Sequence, residues 1–281
     1  MLIIDSQVHI WGENTVQRPW PDRGPPGRET PLGKDELLGE MDQAGVDSVV
    51  IVPPFWEGDR NDLALAAAQV HPDRFAVMGR LNPENLALRG RVKRWREEPG
   101  MLGLRCSFHA PSVRPWLIEG HMDWVWREAE EGAVPIYLYL NTEDLDHVDR
   151  IAQRHPGLRL ALDHLCLPID KKDDEAFANL DKVLELAKQP NIAVKASWMP
   201  NFSTQPYPYR NLFGYLRQVI DAFGPQRTFW GSEFSCLKRV SYRDCVTMFA
   251  EQMSWLSAED LAWIMGKGLS RWLGWNPRAA L

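Results

Sequence analysis

Short apolar runs rich in β-branched residues alternate with longer amphipathic stretches from one end of the chain to the other. Runs of the first kind predict strands, and apolar positions spaced three or four apart predict helices. A first strand is expected over residues 2–10, followed by a polar loop at about 11–31 that is rich in Pro, Gly and Trp. A helix is expected over 34–44, with Gly45 as its C-terminal stop. Residues 46–52 form a β-branched run closed by Pro53 and Pro54. Further strands are predicted at 75–81, 100–106, 134–140, 158–163, 192–197 and 227–231. Helices are predicted between them at 59–70, 86–97, 121–131, 143–154, 173–188 and 209–223, with more helix at 242–253 and 258–273.

Parallel strands need crossover connections, so this alternation predicts a parallel sheet. Eight strand-then-helix units in 281 residues fit a single-domain (β/α)8 TIM barrel over residues 1–281. No G-x-G-x-x-G follows a strand, which weighs against a dinucleotide fold. The long loops after strands one and seven leave the strands' C-terminal ends, the active-site face of a barrel.

Asp5, Gln7 and His9 stand two apart on the first strand, a spacing that predicts one shared face. Polar groups there are costly to bury without purpose. Other predicted strand ends carry Arg80, Arg105, Asn141, Asp163, His164, Ser197, Trp198 and Glu233. In a barrel these distant positions converge at one mouth.

The segments Asp5-Ser6-Gln7-Val8-His9-Ile10-Trp11, Asp163-His164-Leu165 and Trp230-Gly231-Ser232-Glu233 resemble the amidohydrolase superfamily, more narrowly its "amidohydrolase 2" branch. They fall on strands one, six and eight in the family order, so the resemblance spans the chain. It implies a lactonase acting on a pyrone dicarboxylate, muconolactone or sugar lactone, or a metal-dependent decarboxylase. A carboxylated ring compound is the substrate class it favours. Three departures stand out, one of them on strand five, where Tyr139 and Asn141 stand in place of the Lys or His that a metal-binding member often carries. Gln7 replaces the first histidine of the family's His-x-His, and Glu233 replaces its strand-eight Asp.

Amide is a poor metal ligand beside imidazole, so a metal-free hydrolase is the expectation. In that reading Glu233 is the base that activates water, and His9 and His164 polarise the carbonyl. Gln7 adds an amide donor, and Arg105 anchors a substrate carboxylate. Asn141, Ser197, Trp198 and Arg80 line the pocket. If a metal is present, His9, His164 and Glu233 are its expected ligands, holding one Zn or Mn ion. A decarboxylase, or a barrel that binds a small molecule without turnover, remains the alternative.

Asp5 also reads as a simple hydrogen-bonder. Strand alternation points Asp163 away from His164's face, so it is read as structural. His109 lies within reach of the pocket. Cys106, Cys166 and Cys236 read as small apolar fillers, and Trp11, Trp20, Trp56 and Trp198 as pocket wall or core. The net charge of −6 argues against a nucleic-acid partner. No apolar run is long enough to span a membrane. The chain opens directly on a strand, so a cytoplasmic location is the default expectation. A small-molecule substrate is the expected partner, with homo-oligomerisation left open.

Overall fold

The computed structural model describes residues 1–20, 28–238 and 240–277; positions 21–27 of the predicted loop lie outside them. Eight parallel strands follow one another in chain order around one sheet. They are β1 (Ile4–Val8), β2 (Ser48–Ile51), β3 (Phe75–Gly79), β4 (Met101–Ser107), β5 (Ile136–Tyr139), β6 (Leu160–Leu162), β7 (Ile192–Ser197) and β8 (Thr228–Gly231). Helices at Lys34–Ala44, Asp62–Val70, Asp123–Glu131, Leu145–Arg154 and Phe213–Phe223 supply crossovers between them. The fold is the (β/α)8 barrel that the alternation predicts.

Some expected helices are broken. Residues 86–97 form two 3-10 segments, Leu86–Leu88 and Val92–Glu97, with the left-handed Gly90 (φ 80°) between them. Residues 173–188 divide into Asp173–Ala176, Leu180–Glu185 and a 3-10 turn, Leu186–Lys188. The C-terminal helical stretch contains a π turn, Trp263–Lys267. There Gly266 lies so close to the Leu2 carbonyl that a Cβ would sit 2.5 Å from it. Among the described residues no helix is long and apolar enough to cross a membrane.

Two cores hold the barrel. The inner one stacks Ile4, Val50, Met78, Leu102, Tyr137 and Phe229, with Leu269 and Leu273 of the C-terminal helix packed against it. The outer one packs the other strand face, including Val49, Ile51 and Val8, against the helices. Strand residues alternate between these two environments, both apolar, which is why the strands read as continuous hydrophobic runs.

The seam between β8 and β1 depends on an irregularity. Register along β1 shifts between Asp5, opposite Val49, and Val8, opposite Ile51. The extra residue turns Asp5 outward with Val49, away from the face that Gln7 presents. The prediction of one shared face for Asp5, Gln7 and His9 therefore fails at Asp5. Its carboxylate instead accepts from the Ser232 N–H (2.9 Å), the Gln7 N–H (2.9 Å), the Ser232 hydroxyl and the Tyr242 hydroxyl (2.8 Å). Together with the Glu233 N–H donating to the Gln7 carbonyl (3.0 Å), these bonds join β1 to the end of β8.

Candidate active site

Three strands end in left-handed turns at the same end of the barrel. His164 (φ 53°) follows β6, Trp198 (φ 62°) follows β7 and Glu233 (φ 53°) follows β8. This region is disfavoured for residues with a Cβ. Each turn breaks the period-two alternation at the strand's C-terminal end.

At the centre, His9 Nε2 lies 2.7 Å from Glu233 Oε1, and His164 Nε2 lies 3.6 Å from Glu233 Oε2. All three residues are buried. Each imidazole is held from behind. His9 Nδ1 donates to the Val52 carbonyl at 2.5 Å, since a carbonyl can only accept. His164 Nδ1 meets the Ser197 hydroxyl at 2.8 Å, and that hydroxyl oxygen also accepts from the His164 backbone N–H at 3.3 Å. Ser197 therefore positions His164 rather than lining the pocket alone. Burial pushes the Glu233 pKa up, but His9, His164 and the Cys236 thiol together outweigh it and hold the carboxyl well below its usual range. Burial pushes the His164 pKa down to about 4, against the pull of Glu233 and Asp163. That imidazole is neutral at physiological pH.

Beneath this trio runs a buried charge chain that the sequence reading largely missed. Asp163 is fully buried and pairs with Lys195 Nζ at 2.9 Å and with Arg105 Nε at 3.1 Å. The assignment of Asp163 to the opposite face is thus overturned. Alternation turns it inward, and the left-handed backbone at His164 turns that residue inward as well. Burial raises the Asp163 pKa, yet Lys195 and Arg105 outweigh it and keep the carboxyl below its normal value. Lys195 also donates to Gln7 Oε1 and sits 3.8 Å above the Tyr137 ring. Gln7 Oε1 is thus taken up by Lys195, while Nε2, the amide donor of the sequence reading, is buried with no partner among the described residues. A lysine inside a strand is the signal that could have revealed this chain, because Lys195 alternates with the outward Val194 and Ala196.

Arg105 lies across Tyr139, with its guanidinium carbon 4.9 Å from the ring centroid. With Nε on Asp163 and Nη1 on Ser107, it is already partly neutralised as a substrate anchor. Asn141 donates to the His109 carbonyl at 3.3 Å and so braces the loop after β4. Trp198 packs 5.3 Å from His164, and Trp56 6.4 Å from His9. Both line the mouth, whereas Trp11 is buried in the outer core against Trp56. A groove of about 980 Å³ opens beside Cys236 between the loops after β7 and β8, lined in part by Tyr207, Tyr209 and Lys172.

Cys106 and Cys166 are outer-core fillers, as expected. Cys236 is not. Its thiol, His9 and Glu233 place donor atoms within 4.8 Å of one another. The metal set expected from sequence therefore changes in its third member, with Cys236 closer in than His164. The donors fit one divalent ion. His9 turns Nε2 inward because Nδ1 is occupied, and Glu233 Oε2 has no hydrogen-bond partner among the described residues. Nitrogen, carboxylate and sulfur together suit zinc.

Residues 4–268 match the family described as Amidohydrolase. This chain belongs to the amidohydrolase family. An L-fucono-1,5-lactonase of Burkholderia ambifaria is 24% identical over 267 residues, spanning 90% of this chain and 85% of that protein. An amidohydrolase of Burkholderia multivorans with bound zinc superposes with a TM-score of 0.81 at 22% identity, covering 98% of this chain and 100% of that one. A probable 2-pyrone-4,6-dicarboxylic acid hydrolase of Acinetobacter baumannii, with citric acid bound, gives a TM-score of 0.76 at 16% identity, covering 98% and 100%. At these identities the two structures speak for the shared fold alone.

Proposed function

We propose that this amidohydrolase opens a small lactone by hydrolysis, with Glu233 as the base that activates water. The observation that carries the reading is one carboxylate set between two oriented imidazoles, His9 at 2.7 Å and His164 at 3.6 Å. Membership of the family and the lactonase names of its relatives support it.

A lactone carbonyl needs a water made nucleophilic and a donor for the oxygen that becomes negative. Glu233 Oε2, which has no hydrogen-bond partner among the described residues, takes the proton from water. His164 supplies the donor. In the tautomer in which the Ser197 hydroxyl donates to Nδ1, the His164 proton resides on Nε2, facing the site. His9 Nε2, 2.7 Å from Glu233 Oε1, takes up the proton that Glu233 drew from water and passes it to the ring oxygen as the C–O bond breaks, which restores both residues.

When a divalent ion is bound, His9, Glu233 and Cys236 would hold it, and it would supply Lewis-acid polarisation of carbonyl and water.

The test is a panel of five- and six-membered lactones assayed for acid release with metal-analysed protein, before and after chelation. Ring opening that survives chelation supports the reading. Chelator-sensitive turnover with a stoichiometric ion overturns its metal-free form, and CO₂ release without ring opening overturns the hydrolase.

A further inference from the structure

The other end of the barrel holds arginines that the catalytic reading leaves unused. Arg159 directly precedes β6 and Arg227 directly precedes β8, whereas His164 and Glu233 follow those same strands. Both arginines therefore stand at the N-terminal face, one strand length from the active site. Arg271 joins them from the C-terminal helix, Gly268–Leu273. With Gln226, Gly268 and Trp272 they line a cleft of about 320 Å³. That helix sits directly on the barrel floor. A Cβ on Gly268 would come 3.0 Å from the Gln226 carbonyl and 3.2 Å from the Phe229 ring, and the Trp272 and Phe229 ring centroids are 5.9 Å apart.

Every acceptor that the three guanidinium groups reach among the described residues is neutral. Arg159 Nη1 donates to the Trp272 carbonyl, and its Nη2 to the Ala133 carbonyl at 3.1 Å. Arg227 donates to the carbonyls of Ala187, Gln189 and Ile192 at 2.8–2.9 Å. Arg271 reaches Gln226 Oε1 alone, at 3.4 Å. A guanidinium carries five N–H donors, so each of the three has donors left over. No carboxylate among the described residues pairs with any of them. Burial, then Arg96, pushes the Arg159 pKa below its usual value, and burial does the same to Arg227. Three like charges thus gather without a counter-charge in a chain whose net charge is −6.

We infer that Arg159, Arg227 and Arg271 form a binding pocket for a small phosphate-class oxyanion, separate from the catalytic mouth and independent of the lactone reading. Shape favours that class over a carboxylate. A carboxylate presents two oxygens in one plane and is met by a single guanidinium fork. A tetrahedral oxyanion presents oxygens in several directions. It meets N–H groups arriving from three segments, which here are the loop before β6, the turn before β8 and the C-terminal helix. The carbonyls that hold Arg159 and Arg227 fix those two forks in advance, so Arg271 is the one long side chain ordered on binding. A bound anion ties the C-terminal helix to the barrel floor. Leu269 and Leu273 of that helix pack against the inner core, so occupancy of the cleft is linked to the stability of the barrel.

The test is calorimetric titration of inorganic phosphate, pyrophosphate and acetate into the full chain, at an ionic strength fixed with chloride. The wild type is expected to bind phosphate and pyrophosphate saturably, and to bind phosphate more tightly than acetate by about tenfold or more. Arg271 is exposed and bonded only to Gln226, so its replacement leaves the barrel folded. Arg271→Met is expected to weaken phosphate binding by about tenfold, and Arg271→Glu, which sets a carboxylate at the cleft, to abolish it. Arg217→Met changes an exposed arginine that lies 3.9 Å from Asp221 and outside the cleft, and is expected to bind as the wild type does. Saturating pyrophosphate is expected to raise the Tm of the wild type and of Arg217→Met, and to leave Arg271→Glu where chloride of equal ionic strength leaves it. No saturable phosphate binding by the wild type, acetate bound as tightly as phosphate, or undiminished binding by Arg271→Glu overturns the inference. A Tm rise of equal size in the wild type and Arg271→Glu also overturns it, because that marks a general salt effect.

Discussion

Lys195 brings a full charge into the barrel with no exposed surface. It is tolerated because Asp163, Gln7 and the Tyr137 face surround it. Burial pushes its pKa down, and Asp163 pulls it back up. Removing one partner of such a pair leaves the other charge buried and uncompensated. Lys195→Met is therefore expected to destabilise the fold by about 3–5 kcal/mol in urea unfolding. A loss under 1 kcal/mol would mean that Arg105 alone satisfies Asp163. At this scale the sequence was legible in which strand-end residues meet. His9, His164 and Glu233 come together as read. Asp163 and Cys236 were misread, because each depends on a backbone turn that no local pattern announces, at His164 for one and Glu233 for the other. Lys195 was visible as an oddity inside a strand, but its partners come from β1 and β6 and only the closed barrel unites them.

The eight strands were plain as elements, because apolar cores on both faces impose continuous β-branched runs. Their ends were not, since the chemistry sits where alternation stops. The β1 bulge moves Asp5 to the outer face, and the turn after β6 gathers Asp163 and His164 together. The β1–β8 seam shows how tightly this end is packed. A Cβ on Gly231 would overlap Ser6 Oγ and lie 3.0 Å from Ser197 Cβ. Gly231→Ala must push apart β1, β7 and β8, at an expected cost of about 1–3 kcal/mol. Because Ser197 holds His164, it should also lower kcat/KM. Loss of stability with unchanged kcat/KM would show that His164 does not depend on that packing. The predicted helix over 86–97 failed for a different reason. Its apolar spacing was adequate, but Gly90 in the left-handed region divides it.

Over the whole molecule, the carboxylate that seals the barrel sets a pH dependence. Burial outweighs the four donors around Asp5 and raises its pKa from 3.8 to about 6. The folded state then binds a proton more tightly than the unfolded state between those values. The stabilisation from protonated Asp5 is complete below about pH 4 and is lost as pH rises through about 6. Asp5→Asn keeps the shape without the ionisation. Its stability relative to wild type is expected to improve between pH 4 and pH 7 by about 3 kcal/mol. A difference independent of pH would assign the seam's strength to the hydrogen bonds alone.

The central claim is that Glu233 activates the water that opens a lactone. It is tested most directly by the turnover of Glu233→Gln on the best lactone of the panel, alongside a circular-dichroism check of the fold. An amide keeps the size and cannot take the proton, so kcat/KM should fall by about 10²–10⁴-fold while the barrel remains intact. An intact variant that opens the lactone within threefold of the wild-type rate would contradict the account.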